Sequence, residues 1–326
     1  MAVRKPHALV DGLLWAMVVA ECATICYIFD TDMLLVLAAF IVGVAIAVHV
    51  TKTVFAVGGR FVSNRFLAHL GDPLKKAMTM RKFTDQSWQL VIHVSMTIME
   101  LAVISDETWW EDTASMWNGN RSDCGSPKQK TLTKALYLAQ LAIWIYTAFS
   151  CKFLEEVRKD YVVMMSHHVI TIALVTGSYA FNFMPVGVLI LLIHDATDIP
   201  MDLLKMANYL KLEGPRGLFI VEINFAIMLI GWFYLRIYLF PVKLISSWIF
   251  EARAACCLPH EATDFSILLP SPGPPMWLPF LLLLCGLYSL HIWWSFLILR
   301  LLAKVVTKGA HESAEEEYEG ASDSDR

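Results

Sequence analysis

The chain has 326 residues, 57% of them hydrophobic and 17% charged, with a mean hydropathy of +0.54. Soluble domains carry roughly 45–50% apolar and about 25% charged residues, so a water-soluble α/β fold is excluded. The formal net charge of −4 is segregated, basic in short connections and acidic over 312–325, which leaves no basic surface suited to nucleic acid.

A bilayer-spanning helix needs about 20 apolar residues, and eight runs come close to or exceed that length. The first, 9–29, contains Asp11 and Glu21 and lacks a small-x-small cleavage site. It is expected to be retained, as a span or as an interfacial helix. The second is 33–57. The connection 58–87 holds Arg60, Arg65, Lys75, Lys76, Arg81 and Lys82. Runs three and four, 88–104 and 132–149, flank a segment with Trp109, Trp110 and Trp117. Arg158 and Lys159 precede run five, 162–182, and a tight turn leads to run six, 183–207. Lys205, Lys211 and Arg216 follow it. Run seven is 218–240, the segment 241–275 reads as a loop, and run eight is 276–303. Arg300, Lys304 and Lys308 close it, and an acidic tail, 309–326, is expected to be disordered. Lipid admits helices or closed barrels, and barrel alternation is absent, so the fold class is an all-α polytopic membrane protein.

If every run spans, the Lys/Arg-rich connections fall on one side with Arg4 and Lys5, and the positive-inside rule makes that side the cytosol. The C-terminus is then cytosolic. The opposite side carries the tryptophans of 105–130 together with Trp248 and Trp277, read as interfacial anchors. It also carries a glycosylation sequon at Asn120, and Cys124 within possible disulfide reach of Cys256 or Cys257. The seven cysteines show no metal-type spacing, so no metal site is expected.

Ionisable groups inside a membrane usually mark a functional site. Run five offers His167, His168, Thr171, Ser178, Tyr179 and Asn182; run six offers His194, Asp195, Asp198, Asp202 and Lys205. At 3.6 residues per turn, His167, Thr171, Ser178 and Asn182 fall within roughly a 60° arc. Asp195, Asp198, Asp202 and Lys205 form a second stripe, and His194 and Asp198 are i,i+4 neighbours. His167 and Asp198 each lie seven positions inside the cytosolic edge, roughly 10 Å at 1.5 Å per residue. The tight turn makes the two helices antiparallel neighbours, so two imidazoles and two carboxylates are expected in one cavity. The plain alternative is a polar cluster that only locks helices together. Pro200 is expected to kink run six and open room. His49, His69, His93, His260 and His291 are isolated and read as structural. Glu100 and Glu222 lie inside apolar runs and read either as cavity-lining groups or, more simply, as helix–helix hydrogen-bonding groups.

The stretch Glu156-Val157-Arg158-Lys159-Asp160-Tyr161, followed by His167-His168-Val169-Ile170-Thr171, Ser178-Tyr179, Asn182, Gly187, His194-Asp195-Ala196-Thr197-Asp198 and Lys205, resembles the longevity-assurance signature of ceramide synthases in the TLC family. Lys82-Phe83 with Trp88, Trp109-Trp110 with Trp117, Arg236 with Pro241, and Leu290-His291-Ile292-Trp293-Trp294 extend the resemblance over roughly 80–308. Asp202 stands where the family usually has Glu, Pro200 where it has a bulky apolar residue, and tyrosine is common near His93.

The resemblance implies a six-helix TLC bundle or barrel over 81–308, after an N-terminal membrane region, 1–80, with one or two helices. It implies N-acylation of a sphingoid base, sphinganine or phytosphingosine, by fatty acyl-CoA as co-substrate, with no further cofactor. Membrane lipids are implied partners, and homo- or hetero-oligomerisation is left open. The endoplasmic reticulum is the implied residence. His167, His168, Asp195 and Asp198 are the implied catalytic set. One histidine is expected to act as general base or nucleophile, and Asp195 or Asp198 to orient an imidazole or hold the incoming ammonium. Thr171, Ser178, Tyr179, Asn182, His194, Asp202, Lys205, Arg158 and Lys159 are expected around the substrates. A metal enzyme, or a non-enzymatic TLC-type lipid sensor, transporter or translocation accessory, is the rival reading.

Overall fold

The computed structural model describes residues 8–66, 73–117, 128–154, 160–257 and 274–308. Among them there is no strand, and eight helices are long and apolar enough to cross a membrane. They are α1 (Ala8–Ile28), α2 (Thr31–Phe66), α3 (Pro73–Ile104), α4 (Thr131–Phe153), α5 (Tyr161–Ala180), α6 (Met184–Tyr209), α7 (Ile220–Cys256) and α8 (Trp277–Lys308). This is the all-α polytopic membrane class, as lipid requires of apolar runs whose backbone groups must be satisfied internally.

Burial separates inner helices from outer ones. The apolar window of α6 is 67% buried and that of α2 only 11%. α6 packs on α3 and α7, α4 packs on α5, and α8 closes against α7 and α5. α2 lies outside, against α3 and α4. The Asp30 carboxylate caps it by accepting from the Met33 amide at 2.8 Å.

α1 runs the length of α5. Near its start, Asp11 accepts hydrogen bonds from Lys152 and from the Tyr161 hydroxyl, and Trp15 meets Phe153 edge-on. Just past its end, Phe29 packs on Tyr179. Asp11 thus has a cation beside it at the end of the bundle carrying Lys76, Lys205 and Lys304, called here the basic end.

Two expectations are corrected. Residues 241–256 are not a loop: α7 runs on to Cys256, π-helical over Trp232–Ile245 and Ser247–Glu251. In a π-helix Pro241 leaves the carbonyl five residues back, that of Arg236, without its N–H partner. The Tyr288 hydroxyl donates to the neighbouring Ile237 carbonyl at 3.3 Å, and the helix runs on past the proline. Four of the five tryptophans expected to be interfacial anchors are instead buried, and Trp110 is half-buried. Trp109, Trp117, Trp248 and Trp277 are buried in an aromatic cap at the end opposite the basic one. The Trp117 indole donates to Ser247, and Trp248 and Trp277 donate to each other's carbonyls. The connection 58–87 is largely helical, belonging to α2 and α3. α6 continues as one helix through Pro200. Asn120 and Cys124 lie outside the described residues, as does the tail 309–326.

Candidate active site

A cavity of about 180 Å³ opens among α3–α8 at the basic end. His167, His168, Asp195, Asp198, Asp202 and Lys205 all line it. The turn between α5 and α6 sets the two helices side by side. Asn182 makes it with φ 58°, a left-handed value that asparagine tolerates, and Pro185 opens the first turn of α6.

The three aspartates of the α6 stripe have three different partners. Asp195 accepts from the Gln140 side-chain amide at 2.7 Å, and that same nitrogen donates to Glu100 at 2.8 Å. Asp198 accepts from the Arg236 guanidinium at 2.6 Å. Asp202 accepts from Gln86 and from His93 Nδ1, each at 2.6 Å. Arg236 is only 3% exposed. It is held by donating to Thr197 Oγ1 at 2.6 Å and the His194 carbonyl at 2.9 Å, and by lying 4.4 Å from the Trp232 ring. None of the hydrogen bonds to Asp195 or Asp198 comes from the histidine pair.

The pair itself is set by aromatic walls. The His167 ring lies edge-on between Trp144 at 5.1 Å and Trp294 at 5.4 Å, and its buried Nδ1 has no hydrogen-bond partner. His168 Nδ1 lies 2.8 Å from the Met164 carbonyl. A carbonyl only accepts, so Nδ1 carries the proton and the neutral ring keeps its lone pair on Nε2. His194 is different, because both its nitrogens are engaged. Nδ1 donates to the Ile190 carbonyl at 2.6 Å, and Nε2 meets His291 Nε2 at 2.8 Å. With its Nδ1 proton committed, His194 accepts from His291.

Several predicted residues are placed elsewhere. His194 does not pair with Asp198, because Arg236 takes the carboxylate. Thr171 and Ser178 line a second pocket of about 40 Å³, mostly apolar, that shares Trp144 and His167 with the main cavity. Asn182 is outside both pockets, because α5 ends at Ala180 and the helical arc stops with it. Tyr179 turns toward Met33 and Phe29, away from both. Arg158 and Lys159 lie outside the described residues. His93 and His291 are not isolated: one bonds Asp202 and lines the cavity, the other bonds His194. Sequence reasoning also missed Gln140 and the role of Arg236. A lone basic residue deep in an apolar run was the available signal for Arg236. Among the described residues no three His, Cys, Asp or Glu side chains are disposed to hold a metal ion.

Comparison with known proteins agrees with this architecture. The model of the family described as TLC domain matches residues 82–300. ASC1-like protein 1 from Oryza sativa subsp. japonica is 32% identical over 244 residues, 74% of each chain. Ceramide synthase 1 LOH3 from Arabidopsis thaliana is 29% identical over 72% of each chain. Ceramide synthase 1 from Homo sapiens is 26% identical over 79% of this chain and 71% of its own. With six helices enclosing the polar cavity, and the family match covering most of their length, the chain belongs to the TLC-domain family.

Proposed function

We propose that this chain is a ceramide synthase, a sphingoid base N-acyltransferase of the endoplasmic reticulum membrane with its C-terminus in the cytosol. Its substrates are a fatty acyl-CoA and sphinganine or phytosphingosine, and no other cofactor is invoked. The observation that carries the reading is the meeting of His167, His168, Asp195 and Asp198 in one cavity, in a chain similar over most of its length to proteins named ceramide synthase.

Amide formation breaks the thioester C–S bond and forms a C–N bond. The amine arrives as an ammonium and gives up two protons, one ending on the coenzyme A thiol and one in water. Imidazole, with an ordinary value near 6.5, suits that transfer. His168 lines the cavity, and its tautomer places the basic lone pair on Nε2, the atom that would accept a proton or attack the acyl carbon. His167 is supported by a ring whose Nδ1 has no partner and which borders both the main cavity and the apolar pocket. His194 is less suited, with both nitrogens taken. Lys205 at the cavity, with Arg158 and Lys159 just before α5 in the sequence, suits steering of the acyl-CoA phosphates.

Purified protein incubated with acyl-CoA and sphinganine in the presence of a chelator tests the reading. Ceramide formation is expected. Absence of product with every acyl-CoA chain length would leave the non-enzymatic lipid sensor, transporter or translocation accessory in its place. Acyl-CoA alone, mixed rapidly with the protein, labels it if a histidine is the nucleophile and leaves it unlabelled if the histidine is a base.

A further inference from the structure

The cavity has three aspartates, and their partners are unequal. The Asp198 carboxylate is matched by the Arg236 guanidinium. Asp202 receives two donors, Gln86 and the His93 ring. Asp195 receives one amide N–H, from Gln140, and shares a hydrogen bond with the Glu100 carboxyl, but no cationic side chain bonds it among the described residues. It is 5% exposed and lines the cavity. A carboxylate so far from water is stable only with compensating donors or charge, and neither of these two partners brings a positive charge.

The amide that holds it is itself fixed from behind. Both N–H bonds of the Gln140 amide are committed to carboxyl oxygens, one of Asp195 and one of Glu100. Glu100 is fully buried and does not reach the cavity wall. It prevents the Gln140 side chain from turning its oxygen toward Asp195. A second observation points into the same space. His167 is 8% exposed and lines the cavity, and its Nδ1 has no partner.

We propose that Asp195, oriented by the Glu100–Gln140 relay, is the subsite that binds the ammonium group of a long-chain amine, the acceptor substrate. The assignment rests on the acyltransfer reading for the identity of the amine. An alkylammonium brings one positive charge and three N–H donors, which is what Asp195 lacks and what Asp198 already has from Arg236. Charge-assisted hydrogen bonds of this kind are about twice as strong as neutral ones. Asp195 is then a binding residue, and Gln140 and Glu100 are positioning residues. Asp198 serves instead to anchor Arg236, which braces the α6 backbone at His194.

Equilibrium binding of two soluble, short-chain ligands tests the subsite without requiring turnover. One is a short-chain sphinganine, an ammonium at neutral pH. The other is the O-alkyl hydroxylamine of matched length, uncharged at neutral pH. Asp195→Asn is expected to weaken sphinganine binding by on the order of tenfold to a hundredfold, the loss expected for a hydrogen bond to a charged group. The hydroxylamine should change by less than about threefold. Gln140→Leu, which removes the positioning amide, should act with the same preference and a smaller size. Retained hydroxylamine binding shows that each variant is folded. Equal losses for both ligands in both variants, or no loss for sphinganine, overturn the subsite. A wild-type protein that binds sphinganine through Asp195 yet makes no ceramide would sink the acyltransfer reading and leave the subsite standing.

Discussion

Arg236 connects α7 to three groups of α6, and its loss isolates a carboxylate. Replacing it with methionine leaves Asp198 without its cation. Breaking a buried ion pair costs about 3–5 kcal/mol. Asp198 is 25% exposed to the cavity, which favours the low end, about 3 kcal/mol. A clear fall in the melting temperature of the detergent-solubilised Arg236→Met protein is expected, and an unchanged melt would show the pair to be dispensable. His167→Ala and His168→Ala are expected to abolish ceramide synthesis with little change in that melt. Full turnover in either variant removes that residue from the mechanism. Most of the histidine and aspartate set was legible because the residues lie close together in sequence and share helical faces. His93 and His291 were not legible. Their partners, Asp202 and His194, are 109 and 97 residues away, and no local spacing encodes such a contact.

α6 carries the stripe of aspartates, and its place in the bundle depends on close approach. A Cβ on Gly187 would sit 1.7 Å from the Tyr137 hydroxyl, which donates to the Met184 carbonyl at 3.0 Å. Gly187→Ala is therefore expected to destabilise the protein by about 1–3 kcal/mol through overpacking. Tyr137→Phe in the same chain should recover part of that loss by removing the clashing oxygen. If the double variant melts no higher than Gly187→Ala alone, α4 and α6 are not in contact there. The periodicity of α6 was readable because the helix runs unbroken past both ends of the stripe. On α5 the same arithmetic overreached at Asn182, beyond the helix end. On α7 the proline rule overreached the other way. Pro241 reads as a stop, yet the helix continues through it with π-helical winding.

The eight helices long and apolar enough to span were legible in the sequence because lipid demands long apolar helices. The burial of the tryptophans was not, because an interfacial anchor and an aromatic cap have the same composition. The first run was ambiguous on account of Asp11. Its carboxylate meets Lys152 and Tyr161 at the basic end, while Phe29 reaches Tyr179 near the far end of α5. An even number of spans puts residues before α1 and after α8 on the same side. Tags at the two termini should become protease-sensitive together on the cytosolic side, and opposite sidedness would reduce α1 to an interfacial helix. The account as a whole is tested most directly in cells lacking their own ceramide synthases. Ceramide is measured after expression of this chain and of a His167→Ala, His168→Ala double variant at equal protein level. Ceramide restored by the first and absent with the second is the predicted result. Equal ceramide from both, or none from either, would contradict it.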